Sequence, residues 1–171
     1  MASPATKWHY APNADFDSSG NFLPGTDGFN LADVSSVDEV NSLPAGVKGL
    51  VWVGDSINGA DAAFQAQINQ YIGNPKVFGF YLADEPADGH AAQLKAEADY
   101  IHRVDPGAIT FIILINNSAD NSPQYSYNPA NTDVDLFGLD PYPVQTQYNG
   151  ANYSIIGDSV RAAEAQGIPL A

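Results

Sequence analysis

The sequence contains no cysteine among its 171 residues, which excludes disulfides, thiolate metal sites and cysteine nucleophiles. Basic residues are also scarce, since 6 Lys and Arg stand against 20 Asp and Glu, for a formal charge of −14. Such a charge repels phosphate backbones and anionic membrane surfaces. We therefore expect neither a nucleic-acid partner nor a membrane partner.

Long apolar runs are missing as well. No segment approaches the roughly 18 consecutive apolar residues of a membrane span, and the start, MASPATKWHY, lacks a cationic, apolar leader. Few lysines and many Asn, Ser, Gly and Tyr residues favour a secreted protein that handles neutral polymers. The expected location is extracellular, with the leader removed or absent from this sequence.

Short apolar runs alternate with helical patterns along the chain. This order predicts one α/β domain with a parallel sheet and crossover helices. An irregular segment, 1–28, holds a candidate first strand, and 29–171 forms the barrel domain. The strand patterns are KWHYAP (7–12), FNLADV (29–34), VKGLVWVG (47–54), VFGFYLAD (77–84), ITFIILIN (109–116) and DLFGLD (135–140), with IPLA (168–171) as the approach to another.

A complete eightfold barrel takes about 250 residues, so the pattern predicts a partial (β/α)8 TIM-type barrel with about six parallel strands. A polar segment, 117–133, stands where a helix would follow the fifth strand, which predicts a long loop. Helical patterns occupy 35–43, 60–73, 90–104 and 153–167. Ser35 or Ser36 is the expected cap of the first. One face of the second carries Phe64, Ile68, Tyr71 and Ile72, and the third has an apolar stripe of Leu94, Ala98 and Ile101.

Two strands end on an acid followed by proline, which cannot donate to the strand ladder. Alternation along a strand puts Phe78, Phe80 and Leu82 on the outer face and Gly79, Tyr81, Ala83 and Glu85 on the inner face. The same alternation puts Gly138 and Asp140 inside. Glu85 and Asp140 should then converge at the carboxyl edge of the strands, where barrel enzymes hold their catalytic groups.

Other residues near these strand ends are weaker candidates for substrate binding. Asp84 has the outer parity and, like Asp33 and Asp55, can instead cap a helix or bond a loop amide. Aromatic rings could stack on sugar faces or simply pack in the core. The aromatic candidates are Trp52, Tyr81, Tyr142 and Tyr148.

These motifs carry a resemblance. FGFYLADEP resembles the fourth-strand motif of barrel-fold glycoside hydrolases, particularly the retaining clan whose Asn-Glu-Pro supplies the general acid/base. FGLDPYPV is similar to the sixth-strand segment of secreted bacterial glycosidase-like barrel proteins, and the resemblance spans about 29–171. It implies a carbohydrate substrate, no required cofactor, and Glu85 as the acid/base. Asp84 replaces the clan's asparagine, and the nucleophile glutamate of the seventh strand is not reached, so the partner of Glu85 is absent or a different residue.

Glycoside hydrolysis needs two carboxyl groups, about 5 to 5.5 Å apart for retention and wider for inversion. One of them must stay protonated near neutral pH, and burial of Glu85 among aromatic rings would raise its pKa accordingly.

Two alternatives compete with hydrolysis of glycosides. Gly54-Asp55-Ser56 resembles the nucleophile block of GDS-type esterases, and Asp99 with His102 would complete a triad. That pair lies inside a predicted helix, and no Gly-x-Asn-Asp block is present. The other alternative is a barrel remnant that binds carbohydrate or associates with itself without catalysis.

The segment DFDSSGN (15–21) matches the start of a calcium loop, with candidate ligands Asp15, Asp17 and Ser19 at alternate positions. Its twelfth position is Thr26 rather than glutamate, and an ordinary Asx turn explains the segment equally well. Ca²⁺ is the one cofactor that the sequence suggests.

Six strands cannot close an eight-stranded barrel, so the sheet edges and an apolar lumen would face water. We therefore expect a homodimer in which two partial barrels cover each other. The alternative is that the missing strands are supplied by a separate segment.

Overall fold

The computed structural model describes residues 7–12, 16–55, 58–115, 125–145 and 150–170. It is a curled, six-stranded half-barrel in which neighbours follow chain order and every pair is parallel. The predicted partial α/β barrel is therefore confirmed. The strands of this sheet are β1 (Tyr10–Ala11), β2 (Leu31–Val34), β3 (Lys48–Trp52), β4 (Val77–Asp84), β5 (Ile109–Ile115) and β6 (Leu136–Asp140). Two further strands, β7 (Val144–Gln145) and β8 (Gly150–Ala151), form a separate antiparallel pair.

Helices lie between the strands, as the sequence predicts. The first begins at a capping box, because the Ser36 Oγ accepts the Glu39 N–H at 3.2 Å and the Glu39 carboxylate accepts the Ser36 N–H. The helices are α1 (Val37–Ser42), α2 (Ala62–Ile68), α3 (Ala91–Val104), α4 (Pro129–Thr132) and α5 (Ser154–Ala165), with a 3-10 turn at Pro24–Asp27. None of the helices in the described ranges has the length and apolar character needed to cross a bilayer.

Two predictions about helices need correction. The helix predicted over 60–73 ends at Ile68, because the following turns tighten into i→i+3 hydrogen bonds such as Tyr71 N–H to the Ile68 oxygen at 3.0 Å. Ile72 is consequently 40% exposed rather than buried on the helix face. The loop predicted over 117–133 contains α4, which the Asn128 side chain caps, while 116–124 lies outside the described residues.

The main core lies between the outer face of the sheet and the helices. The predicted stripe of α3 is confirmed, since Leu94, Ala98 and Ile101 are fully buried there. The sheet contributes side chains that are at most 1% exposed, namely Val34, Val51, Phe80, Ile112 and Phe137. Burial of this core stabilises the fold at roughly 25 cal/mol per Å² of apolar surface.

A second core fills the concave face. Its central side chains, Leu31, Leu50, Tyr81 and Phe111, are 2–5% exposed, and the rings of Tyr81 and Phe111 meet edge to face at 5.0 Å. The expectation that the lumen face lies open to water is wrong for these residues, because they cover one another. The homodimer stays a prediction, and the inner face leaves less apolar surface for a second copy to cover than an open lumen would. A small cavity of about 40 Å³ remains on this inner face. Each of the six strands contributes one residue to its lining, namely Tyr10, Leu31, Leu50, Phe78, Phe111 and Leu136.

Register shifts change the predicted faces of β4. Tyr81 pairs with Phe111, but the next pair is Ala83 with Ile112, so Leu82 is skipped. Beyond this bulge the alternation reverses, which places Ala83 in the outer core and Asp84 opposite Ile113 on the inner side. The predicted inner position of Ala83 and outer position of Asp84 are therefore wrong.

A second register shift lies near the start of β4, where Gly49 pairs with Val77 and Leu50 with Gly79. Phe78, predicted on the outer face, consequently packs on the inner cluster and against the Trp8 ring at 4.9 Å. Gly79 permits a close approach to β5, since a Cβ there would collide with the backbone of Ile109.

The edge of β6 that faces away from β5 pairs in part with the last described residues of the chain. The Phe137 N–H donates to the Pro169 oxygen at 2.9 Å, and Phe137 forms a parallel bridge with Leu170. The prediction that 168–171 approaches another strand is thus confirmed for the described residues of this segment, 168–170.

Candidate active site

Acidic side chains gather at the carboxyl ends of four strands. Asp33 lies in β2, and Asp55 follows β3. Asp84 ends β4 and Glu85 comes directly after it, and Asp140 ends β6. Since all of these strands are parallel, their carboxyl ends share one edge of the sheet. The sequence thus identified the edge correctly, although it misplaced the faces of β4.

Glu85 has an unusual backbone conformation. Its φ is +49°, in the left-handed region, while its N–H still donates to the Ile113 oxygen at 3.0 Å. This conformation costs a residue with a Cβ about 1–2 kcal/mol. The hydrogen bond to β5 fixes the backbone at the point where the chain leaves the sheet. Strain of this kind is a reason to suspect a functional residue.

Tyr142 connects the two predicted catalytic carboxylates. It follows β6, and its hydroxyl donates to Glu85 Oε1 at 3.0 Å. Its interactions with the carboxylates of Asp140 and Glu85, together with burial, raise the pKa of Tyr142. The structure therefore brings Glu85 and Asp140 together around one hydroxyl, although they come from strands that are not adjacent.

The surroundings of Glu85 favour its protonated form. Burial raises the pKa of its carboxyl, and the negative charges of Asp140 and Asp84 raise it further, against the Tyr142 hydrogen bond, which lowers it. The ion pairs in the described ranges lie on α3, on α5 and just before β6, and none of them includes Glu85, Asp84 or Asp140. A carboxyl group whose pKa is raised in this way is better suited to donate a proton than an ordinary glutamate.

Asp84 and Asp55 interact directly. Asp55 Oδ1 accepts the Asp84 N–H at 2.9 Å, which ties the β3–α2 loop to the end of β4. This contact agrees with the interpretation of Asp55 as a loop-forming residue. The Asp84 carboxylate lies on the inner side instead, where burial and its hydrogen bond with Tyr81 raise the pKa of the Tyr81 phenol. The half-buried Asp33 adds a smaller effect on the same phenol.

The aromatic candidates differ in accessibility. Tyr81 is 5% exposed and packs edge to face against Trp52 at 4.6 Å, so its ring is part of the core rather than a platform for a sugar. Trp52 is half-buried, whereas Tyr142 is 41% exposed. Tyr148 lies outside the described residues.

The two described members of the predicted esterase triad, Asp99 and His102, have other partners. His102 Nε2 lies 2.9 Å from Asp135 Oδ2, just before β6, and Asp99 pairs with Lys95 at 2.9 Å. Both therefore belong to the end of the sheet opposite Asp55. Ser56 itself lies outside the described residues.

The part of the calcium segment that the structure describes forms a turn. The Asp17 carboxylate accepts the N–H groups of Ser19 and Asn21 at 2.8 and 2.9 Å, and the Asn21 side-chain amide at 2.9 Å. Asp15 lies outside the described residues, so the calcium site stays a prediction. Within the ranges that the structure covers, no three His, Cys, Asp or Glu side chains are grouped to hold a metal ion.

Comparison of the chain with protein-family models, curated proteins and solved structures found no match. The chemistry of the site is therefore inferred from its own groups. The site offers a carboxyl with a raised pKa at Glu85, a second carboxyl at Asp140 and the hydroxyl of Tyr142. Groups of these kinds can donate a proton and stabilise a developing positive charge.

Proposed function

We propose that this protein is a glycoside hydrolase-like enzyme that cleaves a glycosidic bond, with Glu85 as the general acid and Asp140 as the second carboxylate. The observation that carries the proposal is the convergence of Glu85 and Asp140 on the Tyr142 hydroxyl at the carboxyl edge of the half-barrel. The raised pKa of Glu85 supports the assignment of the acid. The resemblance of the DEP and DPYP segments to glycosidase motifs agrees with it.

In the proposed reaction, Glu85 gives its proton to the glycosidic oxygen as the bond from that oxygen to the anomeric carbon breaks. Positive charge then develops on the sugar, and the Asp140 carboxylate either bonds to the anomeric carbon or takes a proton from a water that attacks this carbon. In the first case, Glu85 afterwards takes a proton from the water that releases the sugar.

The charges around the site indicate the kind of sugar. Asp33, Asp84, Glu85 and Asp140 present carboxyl oxygens that can accept hydrogen bonds from sugar hydroxyls, and the chain carries a formal charge of −14. A neutral carbohydrate avoids the repulsion that a uronate or a phosphorylated sugar would meet. Trp52, partly exposed beside Tyr81, can contact a sugar ring. An extracellular location belongs to the same proposal, since neutral polysaccharides are encountered there.

Activity on aryl glycosides and polysaccharides tests the proposal. We expect Glu85→Gln to lose about 10²- to 10⁴-fold in turnover of substrates with poor leaving groups, because proton donation to the leaving oxygen is removed. Glu164→Gln, at an exposed position on α5, is the matched control and should keep full activity.

Three results would count against parts of the proposal. Unchanged turnover in a folded Glu85→Gln variant would remove Glu85 as the acid. Saturable carbohydrate binding without turnover, measured by calorimetry, would favour the non-catalytic alternative. Hydrolysis of p-nitrophenyl acetate that disappears in Ser56→Ala would favour the esterase.

A further inference from the structure

Tyr142 faces two carboxylates with one proton to donate. The hydroxyl donates to Glu85 Oε1 at 3.0 Å, and Asp140 approaches the same hydroxyl. A tyrosine hydroxyl can donate only one hydrogen bond, so both carboxylates cannot receive it at once. The geometry gives this proton to Glu85.

We propose that Tyr142 is the positioning residue of Glu85: its hydroxyl holds Oε1 at the carboxyl edge of the sheet and leaves Oε2 to exchange a proton with the substrate. This inference rests on the proposed role of Glu85 as the acid. It gives Tyr142 a task other than the sugar platform that the sequence suggested.

Both ends of the Glu85 side chain are then fixed. The backbone is held at φ +49° by the hydrogen bond from its N–H to the Ile113 oxygen. The carboxyl end is held by Tyr142, which follows Pro141 directly after β6. A glutamate side chain has three rotatable bonds, and fixing both ends removes the freedom that would otherwise weaken proton transfer.

The groups that face Glu85 act on it in opposite directions. Burial raises the pKa of Glu85 most, and repulsion from Asp140 at the end of β6 and Asp84 at its own strand end adds to this effect. The Tyr142 hydrogen bond lowers the pKa of Glu85. Removing the hydroxyl should therefore make Glu85 titrate at higher pH, and a stronger donor at the same position should make it titrate at lower pH.

The experiment follows the Glu85 carboxyl directly by ¹³C NMR titration, with its resonance assigned from Glu85→Gln. In Tyr142→Phe, we expect the midpoint of the Glu85 titration to lie at higher pH than in the wild type. When 3-fluorotyrosine, a stronger hydrogen-bond donor, replaces Tyr142, the midpoint should lie at lower pH than in the wild type. The matched control is Tyr153→Phe, which removes the hydroxyl of a tyrosine that is 67% exposed before α5, and it should leave the midpoint unchanged.

Kinetics provide the second readout. Tyr142→Phe should reduce kcat by on the order of 10²-fold, with little change in KM, because the acid is misplaced rather than the substrate lost. The alkaline limb of the rate profile should move to higher pH together with the Glu85 titration.

An unchanged Glu85 midpoint in folded Tyr142→Phe would overturn the inference. If that variant does not fold, an unchanged midpoint with 3-fluorotyrosine would overturn it equally. A shifted midpoint in a protein that hydrolyses no glycoside would instead refute the proposed function while leaving the hydrogen-bond assignment intact, so the two failures are distinguishable.

Discussion

Glu97 is a buried acid whose ionisation should limit the stability of the fold. Its side chain on α3 is 1% exposed, and Oε1 accepts the Gly59 N–H at 3.1 Å. Burial raises the pKa of its carboxyl from 4.5 to about 7, and the negative charge of Asp61 adds to this effect against the opposing Gly59 hydrogen bond. The folded chain therefore holds the Glu97 proton more tightly than the unfolded chain does.

The sign and the size of the effect follow from linkage. Because the folded pKa lies above the unfolded one, the contribution of Glu97 is fully present below about pH 4.5 and is lost as the pH rises through about 7. At 1.36 kcal/mol per pKa unit, the loss amounts to about 3 kcal/mol. Glu97→Gln keeps an oxygen for the Gly59 N–H and cannot ionise. We expect it to match the wild type near pH 4 and to be more stable by up to about 3 kcal/mol at pH 8.

Urea denaturation at a series of pH values, followed by tryptophan fluorescence, measures this difference. Comparison of the two proteins at each pH cancels the titration of all other groups. Glu164→Gln on the exposed side of α5 is the control and should show no pH-dependent difference from the wild type. A Glu97→Gln variant with the same pH dependence as the wild type would refute the reasoning, because Glu97 would then titrate normally in the fold.

Two further predictions concern Asp135 and Asp140. The Asp135 carboxylate accepts hydrogen bonds from the Thr110 N–H at 2.8 Å and the Thr110 hydroxyl at 2.9 Å, so Asp135→Ala should cost about 2 kcal/mol at pH 7 by urea denaturation. Burial opposes ionisation of Asp135, but these hydrogen bonds and His102 hold its pKa below the usual range. The loss of stability in Asp135→Ala should therefore shrink as the pH falls through that pKa. A loss of stability that does not change with pH would contradict this. Asp140→Asn removes a like charge from Glu85, so the Glu85 carboxyl should titrate at lower pH by ¹³C NMR, and a higher midpoint would contradict the assigned contact.

Local patterns predicted the helices and the positions of the strand ends well. The stripe of α3 is buried as its spacing indicates, and Pro86 and Pro141 follow directly on the strand ends that carry Glu85 and Asp140. These features depend on the residue itself and its near neighbours, which a sequence displays. Glu97 was missed, although its position three residues after Leu94 places it on the buried stripe. The sequence does not show a partner for its carboxylate, because only the fold brings the Gly59 N–H within hydrogen-bond distance.

The faces of β4 could not be predicted, because register is set by the neighbouring strands. Leu82 is skipped between the pairs Tyr81–Phe111 and Ala83–Ile112. The sequence of β4 alone does not indicate this bulge. Proline after Glu85 predicted the end of the strand but not the left-handed turn there. The contact between Glu85 and Tyr142 likewise depends on two loops that are 57 residues apart in sequence.

The bulge matters for the proposed chemistry as well as for the fold. In a regular strand, Asp84 and Glu85 would point to opposite faces, and one of the two carboxylates would lie under the helices. The bulge turns Asp84 to the inner side, and the left-handed conformation of Glu85 then lets the next carboxylate reach Tyr142 at the same edge. Two consecutive acids thus lie at one edge of the sheet, and the charge of Asp84 adds to burial and to the charge of Asp140 in raising the pKa of Glu85. The irregular end of β4 is therefore the feature that places Asp84 and the proposed acid, Glu85, at the same edge of the sheet.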